Sequence, residues 1–391
     1  MNIIENFERI YKRAPQYTAF TPYRICPIGA HIDHQLGKVT GLAISKGIKV
    51  AFGPKENGVI EVISLQFDKR AQWHVEATPK VREYDWADHL RGATIALYKR
   101  YPLRRGLCAV FEGELPIGGL SSSAAVIITF LSALCTMNGI KLSPKELITI
   151  SKEAENKYVG VSCGKLDQAC EVYCRKNNLL YMDMQDDSYE LIPELPEMKP
   201  YKIAIFFSGL ERSLAESAYN MRVDECRATA YALKAYAGMD YGKIDVTNLR
   251  EVPEEVYESY KDRLPEPWRR RAEHWFSEYR RVELGAEAWR RGDIDTFGKL
   301  IFESGESSIY NYETGSPELK KLYEIMRGTD GIYGGRFSGA GFKGCCMAFI
   351  DPAYEEKILE KVKREYLAEF PRLSENYSAY ICESADGVRL D

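Results

Sequence analysis

Residues Pro116-Ile117-Gly118-Gly119-Leu120-Ser121-Ser122-Ser123-Ala124-Ala125-Val126-Ile127-Ile128-Thr129-Phe130-Leu131 read as a glycine-rich turn that enters a helix through three serines. Glycines let a backbone approach a ligand closely, serines supply hydroxyl and N–H groups, and the helix behind them points the positive end of its dipole at the same spot. An anion, a phosphate above all, is expected there. The plainer alternative is an N-cap in front of a core helix, because serine is favoured at a helix start and disfavoured inside one. No lysine follows the glycines, so the pattern is not G-x-x-x-x-G-K-[ST]. A second segment, Gly339-Ala340-Gly341-Phe342-Lys343-Gly344, does satisfy G-x-G-x-x-G, but that dinucleotide fingerprint requires a helix next. Cys345 to Ile350, ending at Asp351-Pro352, reads instead as a strand, which argues against a dinucleotide oxidoreductase.

A chain of 391 residues with 45% hydrophobic content can bury a sizeable core and is long for a single one, so two domains are expected. The net charge of −4 gives no general attraction to nucleic acid or to an anionic membrane. Ten cysteines lie scattered without paired C-x-x-C spacing, which points to reduced thiols rather than zinc. Residues 1 to 20 lack the apolar core of a signal peptide, and no apolar run approaches the ~18 residues that span a bilayer. A cytoplasmic location and no membrane or nucleic-acid partner are therefore expected, with a monomer favoured.

Val39 to Phe52 and Val59 to Phe67 carry strand patterns separated by Gly53-Pro54-Lys55-Glu56-Asn57-Gly58, which reads as a hairpin-type connection. Trp86 to Tyr98 is amphipathic, and Ser143-Pro144-Lys145-Glu146 is a capping box that opens a helix to about Asn156. The acidic, Pro-containing stretch Asp186 to Pro200 reads as an inter-domain connection before a buried strand, Tyr201 to Phe207. Arg222 to Ala237 and Pro267 to Arg291 are long charged helices whose Arg and Glu runs read as solvated faces. A last strand is expected near Tyr377 to Cys382.

The segment Tyr23-Arg24-Ile25-Cys26-Pro27-Ile28-Gly29-Ala30-His31-Ile32-Asp33-His34-Gln35 sets an Arg, two His, an Asp and a Gln in a turn-rich dozen residues. Such a set suits a polyhydroxylated ligand, since Asp accepts from sugar hydroxyls while imidazole and amide groups can donate or accept. A polar turn without function and a transition-metal site on His31, Asp33 and His34 are the alternatives.

Together these segments resemble the galactokinase branch of the GHMP kinase superfamily. Arg24 to Gly37 is similar to R-x-N-L-I-G-E-H-T-D-Y-N-x-G, Pro116 to Ala125 to P-x-G-x-G-L-S-S-S-A, and Phe337 to Cys345 to G-x-G-F-G-G-C. Ala154 to Gln168 resembles A-E-H…C-G-x-x-D-Q, and Ser213 to Tyr219 resembles H-S-L-A-x-x-x-Y. The resemblance implies an α+β, two-domain fold: an N-terminal S5-like α/β domain over 1–198 and a C-terminal ferredoxin-like domain over 199–391. It implies ATP-dependent phosphorylation of a sugar at its anomeric hydroxyl. By matching position, Asp167 and Arg24 are the expected catalytic pair. Gly118 through Ala124 are expected to bind ATP, Ser123 and Glu155 to hold Mg²⁺, and His31, Asp33, Gly164 and Tyr219 to bind the sugar.

Three departures from the pattern bear on function. Ala30 stands where galactokinases carry a Glu beside the sugar's 6-hydroxyl, so a C6 carboxylate is no longer repelled there. The string around it is similar to that of galacturonokinases, which makes D-galacturonate the expected substrate, galactose the alternative, and a non-catalytic sugar sensor the alternative of another class. A uronate needs a cation, for which Arg212 is the candidate and His31 the second choice. The loop Pro116 to Leu120 is one residue short, and Lys343 replaces a glycine, adding a charge near the nucleotide or the acidic sugar.

Overall fold

In the computed structural model, which describes residues 2–67, 69–210 and 215–391, two sheets carry the architecture. The first is built from β1 (Tyr17–Ile25), β2 (Lys38–Lys55), β3 (Val59–Ser64), β4 (Lys69–His74), β5 (Gly106–Gly113), β6 (Asn178–Asp183) and β7 (Tyr189–Pro193). It is joined by α1 (Ile3–Tyr11), α2 (Asp88–Tyr98), α3 (Ser122–Asn138), α4 (Pro144–Glu153) and α5 (Leu166–Tyr173). The second comprises β8 (Lys202–Phe207), β9 (Ile332–Phe337), β10 (Cys345–Ile350) and β11 (Ser378–Cys382). Six helices belong to this half: α6 (Ala215–Tyr236), α7 (Glu254–Tyr260), α8 (Glu266–Arg290), α9 (Ile294–Tyr310), α10 (Pro317–Arg327) and α11 (Glu355–Glu369). The chain then returns to the first sheet through β12 (Ser384–Ala385), which pairs with β2, and β13 (Arg389–Leu390), which pairs with β1.

The first sheet runs β13-β1-β2-β5-β3-β4, with β6 on the other end of β2 and β7 on β6. The long β2 organises it: Lys38 to Gly41 pair with β6, Ala43 and Ile44 with β12, and Ile48 to Lys55 with β5. The expected β2–β3 hairpin does not form. β5 inserts between the two strands and runs parallel to β3, from Ile60 opposite Leu107 to Ser64 opposite Phe111. Parallel neighbours need a crossover, here β4 followed by α2, and a short polar turn gives no sign of the strand that will later fill the gap. The segment expected to be a plain connection also carries a strand, β7, whose Tyr189 stacks on Tyr173 at 4.3 Å.

The register of β1 against β2 shifts between Pro22 and Arg24. Proline has no N–H to give the ladder, and irregularities of this kind re-aim the side chains next to them. Helix α3 is apolar nearly all round, as a helix buried against other elements should be, with Ile127, Phe130, Leu131 and Leu134 fully enclosed. The capping box at Ser143 and Glu146 forms as expected, and α4 continues into a π-helical turn, Ala154–Val159. Such turns recur at functional sites, and this one carries Glu155.

The second sheet has the order β11-β8-β10-β9, all antiparallel, which is the ferredoxin-like arrangement. Residues of α10 and α11, among them Leu322, Ile358, Val362 and Tyr366, pack a separate core with Phe206 and Ile350. Among the described residues no helix is long and apolar enough to cross a membrane.

Candidate active site

The two glycine-rich segments meet. A Cβ on Gly344 would lie 2.6 Å from the carbonyl carbon of Gly118, and one on Gly339 would lie 2.7 Å from the Cα of Gly119, so the loops touch backbone to backbone and only glycine fits. β10, not a helix, follows the second segment, which removes the dinucleotide alternative. Ser121 occupies the N-cap position of α3 with a left-handed φ of +59° and makes no capping bond through its side chain, so it is not an ordinary cap. Ser121, Ser122 and Ser123 instead line a cleft of about 410 Å³ that both segments border.

The sequence-expected pair meets at the inner end of this cleft. β1 delivers Arg24 and the first turn of α5 delivers Asp167, and Nε of Arg24 donates to Oδ1 of Asp167 at 2.8 Å. A second guanidinium nitrogen donates to the carbonyl of Gly119 at 3.2 Å, which ties the pair to the glycine loop. Arg24 is 4% exposed. Burial works against its charge, but the Asp167 carboxylate outweighs burial and holds the guanidinium above its ordinary pKa.

Beside the pair, Ser123 Oγ donates to Oε1 of Glu155 at 2.6 Å, and Gln168 Nε2 donates to Oε2 at 2.8 Å. Burial first, and then the charge of Asp167, push the Glu155 carboxyl up to about 7. Hydroxyl and carboxylate oxygens are the donors a hard divalent cation takes, and Mg²⁺ needs few from protein because it keeps water and phosphate oxygens. The donor set fits that ion.

The loop after β1 contributes Cys26, Ala30, His31 and Asp33 to the lining of the cleft. Gly164 is required here, because a Cβ would strike Oδ2 of Asp33 at 2.1 Å. Burial, then Asp167, raise Asp33 to about 6. His31 has φ +67° and stacks on Tyr312 at 4.5 Å, and burial drives its pKa down, so the ring is neutral. Among the described residues its buried Nε2 has no partner. Tyr219 lines the cleft, edge-on to His34. His34 Nε2 lies 2.9 Å from the Tyr312 hydroxyl, and among the described residues no three His, Cys, Asp or Glu side chains group as a metal site, so the transition-metal alternative lacks a ligand set. Arg212 lies outside the described residues. Lys343 lines the cleft next to Gly344.

Sequence comparison matches residues 80–175 to the GHMP kinases N terminal domain, residues 286–368 to the GHMP kinases C terminal domain, and residues 5–54 to the galactokinase galactose-binding signature. Over 94% of this chain and 92% of its own, a galacturonokinase of Arabidopsis thaliana is 39% identical. The chain belongs to the galactokinase branch of the GHMP kinase family. A galactokinase of Roseiflexus sp. is 31% identical over 98% of this kinase and 95% of its own chain. The crystal structure of Lactococcus lactis galactokinase complexed with galactose superposes with a TM-score of 0.89 at 26% identity, covering 99% of the kinase and 98% of that chain.

Several residues of the kinase's cleft escaped the sequence reading. Phe67 and Trp86 stack at 6.2 Å, with Phe111 edge-on to Trp86 at 6.1 Å, giving a flat apolar wall at the outer end. Ser338, within 3.5 Å of Arg24, sits directly before the second glycine segment, which was the available signal. The reading of α8 as a solvated charged face holds for Arg269, Arg280, Glu287 and Arg290, which are exposed, and is corrected at three positions. Arg271, His274 and Glu278 are all buried, because they satisfy polar groups of loops and helices that fold over them. Their i, i+3, i+7 spacing, shared with Ala272, Trp275 and Val282 on the buried side, was legible, but the partners were not.

Proposed function

We propose that this kinase transfers the γ-phosphoryl group of ATP to the anomeric hydroxyl of D-galacturonate by direct in-line displacement, giving galacturonate 1-phosphate. The observation that carries the reading is the Arg24–Asp167 pair, held between the glycine loop and a sugar loop whose wall at Ala30 has a methyl in place of a carboxylate. Asp167 orients the attacking hydroxyl and accepts its proton, while Arg24 faces the charge that develops on the transferred group. Because a loose phosphoryl-transfer transition state asks mainly for positioning and charge stabilisation, the two residues contribute comparably.

Gly118, Gly119, Leu120, Ser121, Ser122, Ser123 and Ala124 cradle the ATP phosphates at the start of α3, and the Trp86 wall takes the base. Ser123 and Glu155 would hold Mg²⁺, which would supply positive charge to neutralise the ATP phosphates. Asp33, His31, Tyr219 and the backbone at Gly164 hold the sugar hydroxyls. Arg212, seven residues before Tyr219, is the proposed cation for the C6 carboxylate; His31, the second choice from the sequence, is held neutral by burial and is left with a hydrogen-bonding role toward the sugar. We take the working unit to be a cytoplasmic monomer, with ten free thiols that suit a reducing compartment, and divide it at residues 198 and 199 with β12 and β13 crossing back.

Galactose remains the second reading, favoured by the whole-chain likeness to a galactokinase complexed with galactose. A coupled ADP-release assay with galactose, glucose, galacturonate and glucuronate decides. The largest kcat/KM is expected for galacturonate, and a larger value for galactose overturns the assignment.

A further inference from the structure

Gly29 to Ile32, on the sugar side of the cleft, belong to no helix or strand, so their backbone groups need partners from elsewhere. The groups flanking Ala30 find them on α8. The N–H of Gly29 donates to Oε1 of Glu278 at 2.6 Å, and the C=O of Ala30 lies 3.0 Å from Nε2 of His274. His274 and Glu278 are four residues apart and so share one face of a rigid helix. A carbonyl can only accept, so Nε2 of His274 carries the hydrogen, and Nδ1 accepts from the Ser307 hydroxyl at 3.0 Å. Glu278 is held in turn by Nε of Arg281 at 2.8 Å and by Arg336 at 3.6 Å. Although burial opposes the charge, Arg281, His274 and Arg336 bring its carboxyl down to about 2, so it is ionised and accepts strongly.

The next residue, His31, is left-handed at φ +67°, a conformation non-glycine residues avoid unless their surroundings impose it. The grip on Ala30 lies directly before it, and the His31 ring stacks on Tyr312. Neither His274 nor Glu278 lines the cleft, so any influence on the sugar passes through the loop.

We propose that His274 and Glu278 are positioning residues for sugar selection: an i, i+4 pair on α8 clamps the backbone on both sides of Ala30 and so sets where the Ala30 methyl and the His31 imidazole meet the substrate. The proposal rests on the assignment of this loop to the sugar.

His274→Phe keeps a ring and deletes the donor, whereas His274→Gln restores an N–H in a similar place. With the full chain, His274→Phe is expected to raise the sugar KM by about 10- to 100-fold, the scale of a lost hydrogen bond and a displaced contact. The galacturonate-to-galactose ratio of kcat/KM should contract, the ATP KM should stay within about two-fold, and His274→Gln should recover most of the sugar KM. An unchanged sugar KM overturns the clamp. So does a parallel rise in both KM values with a lowered Tm and no rescue by glutamine, which marks an ordinary structural residue. If His274→Phe does not fold, Ser307→Ala, which frees the tautomer, should raise the sugar KM alone by about two- to five-fold, and no change there overturns the proposal. Should the wild type prefer galactose, the substrate assignment falls, while the clamp is still judged on the galactose KM.

Discussion

Replacing Ala30 by glutamate sets a carboxylate into the wall that faces C6 in the proposed complex. Ala30 is 8% exposed, and the groups on either side of it are pinned at 2.6 and 3.0 Å, so the backbone has little room to carry the new group away. At ~4 Å and an effective dielectric of about 20, two carboxylates repel by about 4 kcal/mol, roughly a thousand-fold in affinity. Galactose instead gains a charge-assisted hydrogen bond to its 6-hydroxyl, worth about 1.5–3 kcal/mol. The two effects act in opposite directions on the two sugars, so the galacturonate-to-galactose ratio should swing by about 10⁴, and by at least ~10² where water in the cleft screens the repulsion. The assay is steady-state kinetics on both sugars for both proteins, with Tm and ATP KM as controls. If Ala30→Glu keeps the wild-type order of sugars while folding and binding ATP normally, Ala30 does not face C6 and the argument from it fails.

Asp167→Asn should lower kcat by about 10²–10⁴-fold while the ATP KM holds, and retention of more than about a tenth of kcat removes Asp167 from the base role. Glu155→Gln should raise the Mg²⁺ concentration for half-maximal rate. In the wild type, the Glu155 carboxyl, lifted to about 7 by burial and by Asp167, takes up a proton as the pH falls through 7. The proton competes with the cation, so half-saturating Mg²⁺ should climb about ten-fold per unit below pH 7, and Glu155→Gln should abolish that slope; a flat wild-type profile refutes the metal role. Lys343→Gly, which restores the family's residue beside Gly344, should raise the ATP KM by about ten-fold and leave the sugar KM alone. The opposite pattern assigns Lys343 to the uronate carboxylate.

Much of this kinase was legible locally. The serines at the head of α3, the capping box at Ser143, the strand after Gly344 and the polar run from Arg24 to Gln35 are each encoded within a dozen residues, by periodicity, turn chemistry and helix-start preferences. Matching those segments to the family placed Arg24, Asp167, Ser123 and Glu155 in one site. The structure joins them, although Arg24 and Asp167 are 143 residues apart and Ser123 and Glu155 are 32 apart. Only the tertiary structure decided that β5 separates β2 from β3, that the last residues return as β12 and β13, and that Arg271 and Glu278 of α8 turn inward. A strand's own pattern shows which face is apolar but not which edge it will meet, and a charged residue can be buried only where distant groups satisfy it. Glu278 reads as one more acidic residue on a charged helix until Gly29, Ser304, Arg281 and Arg336 are brought around it.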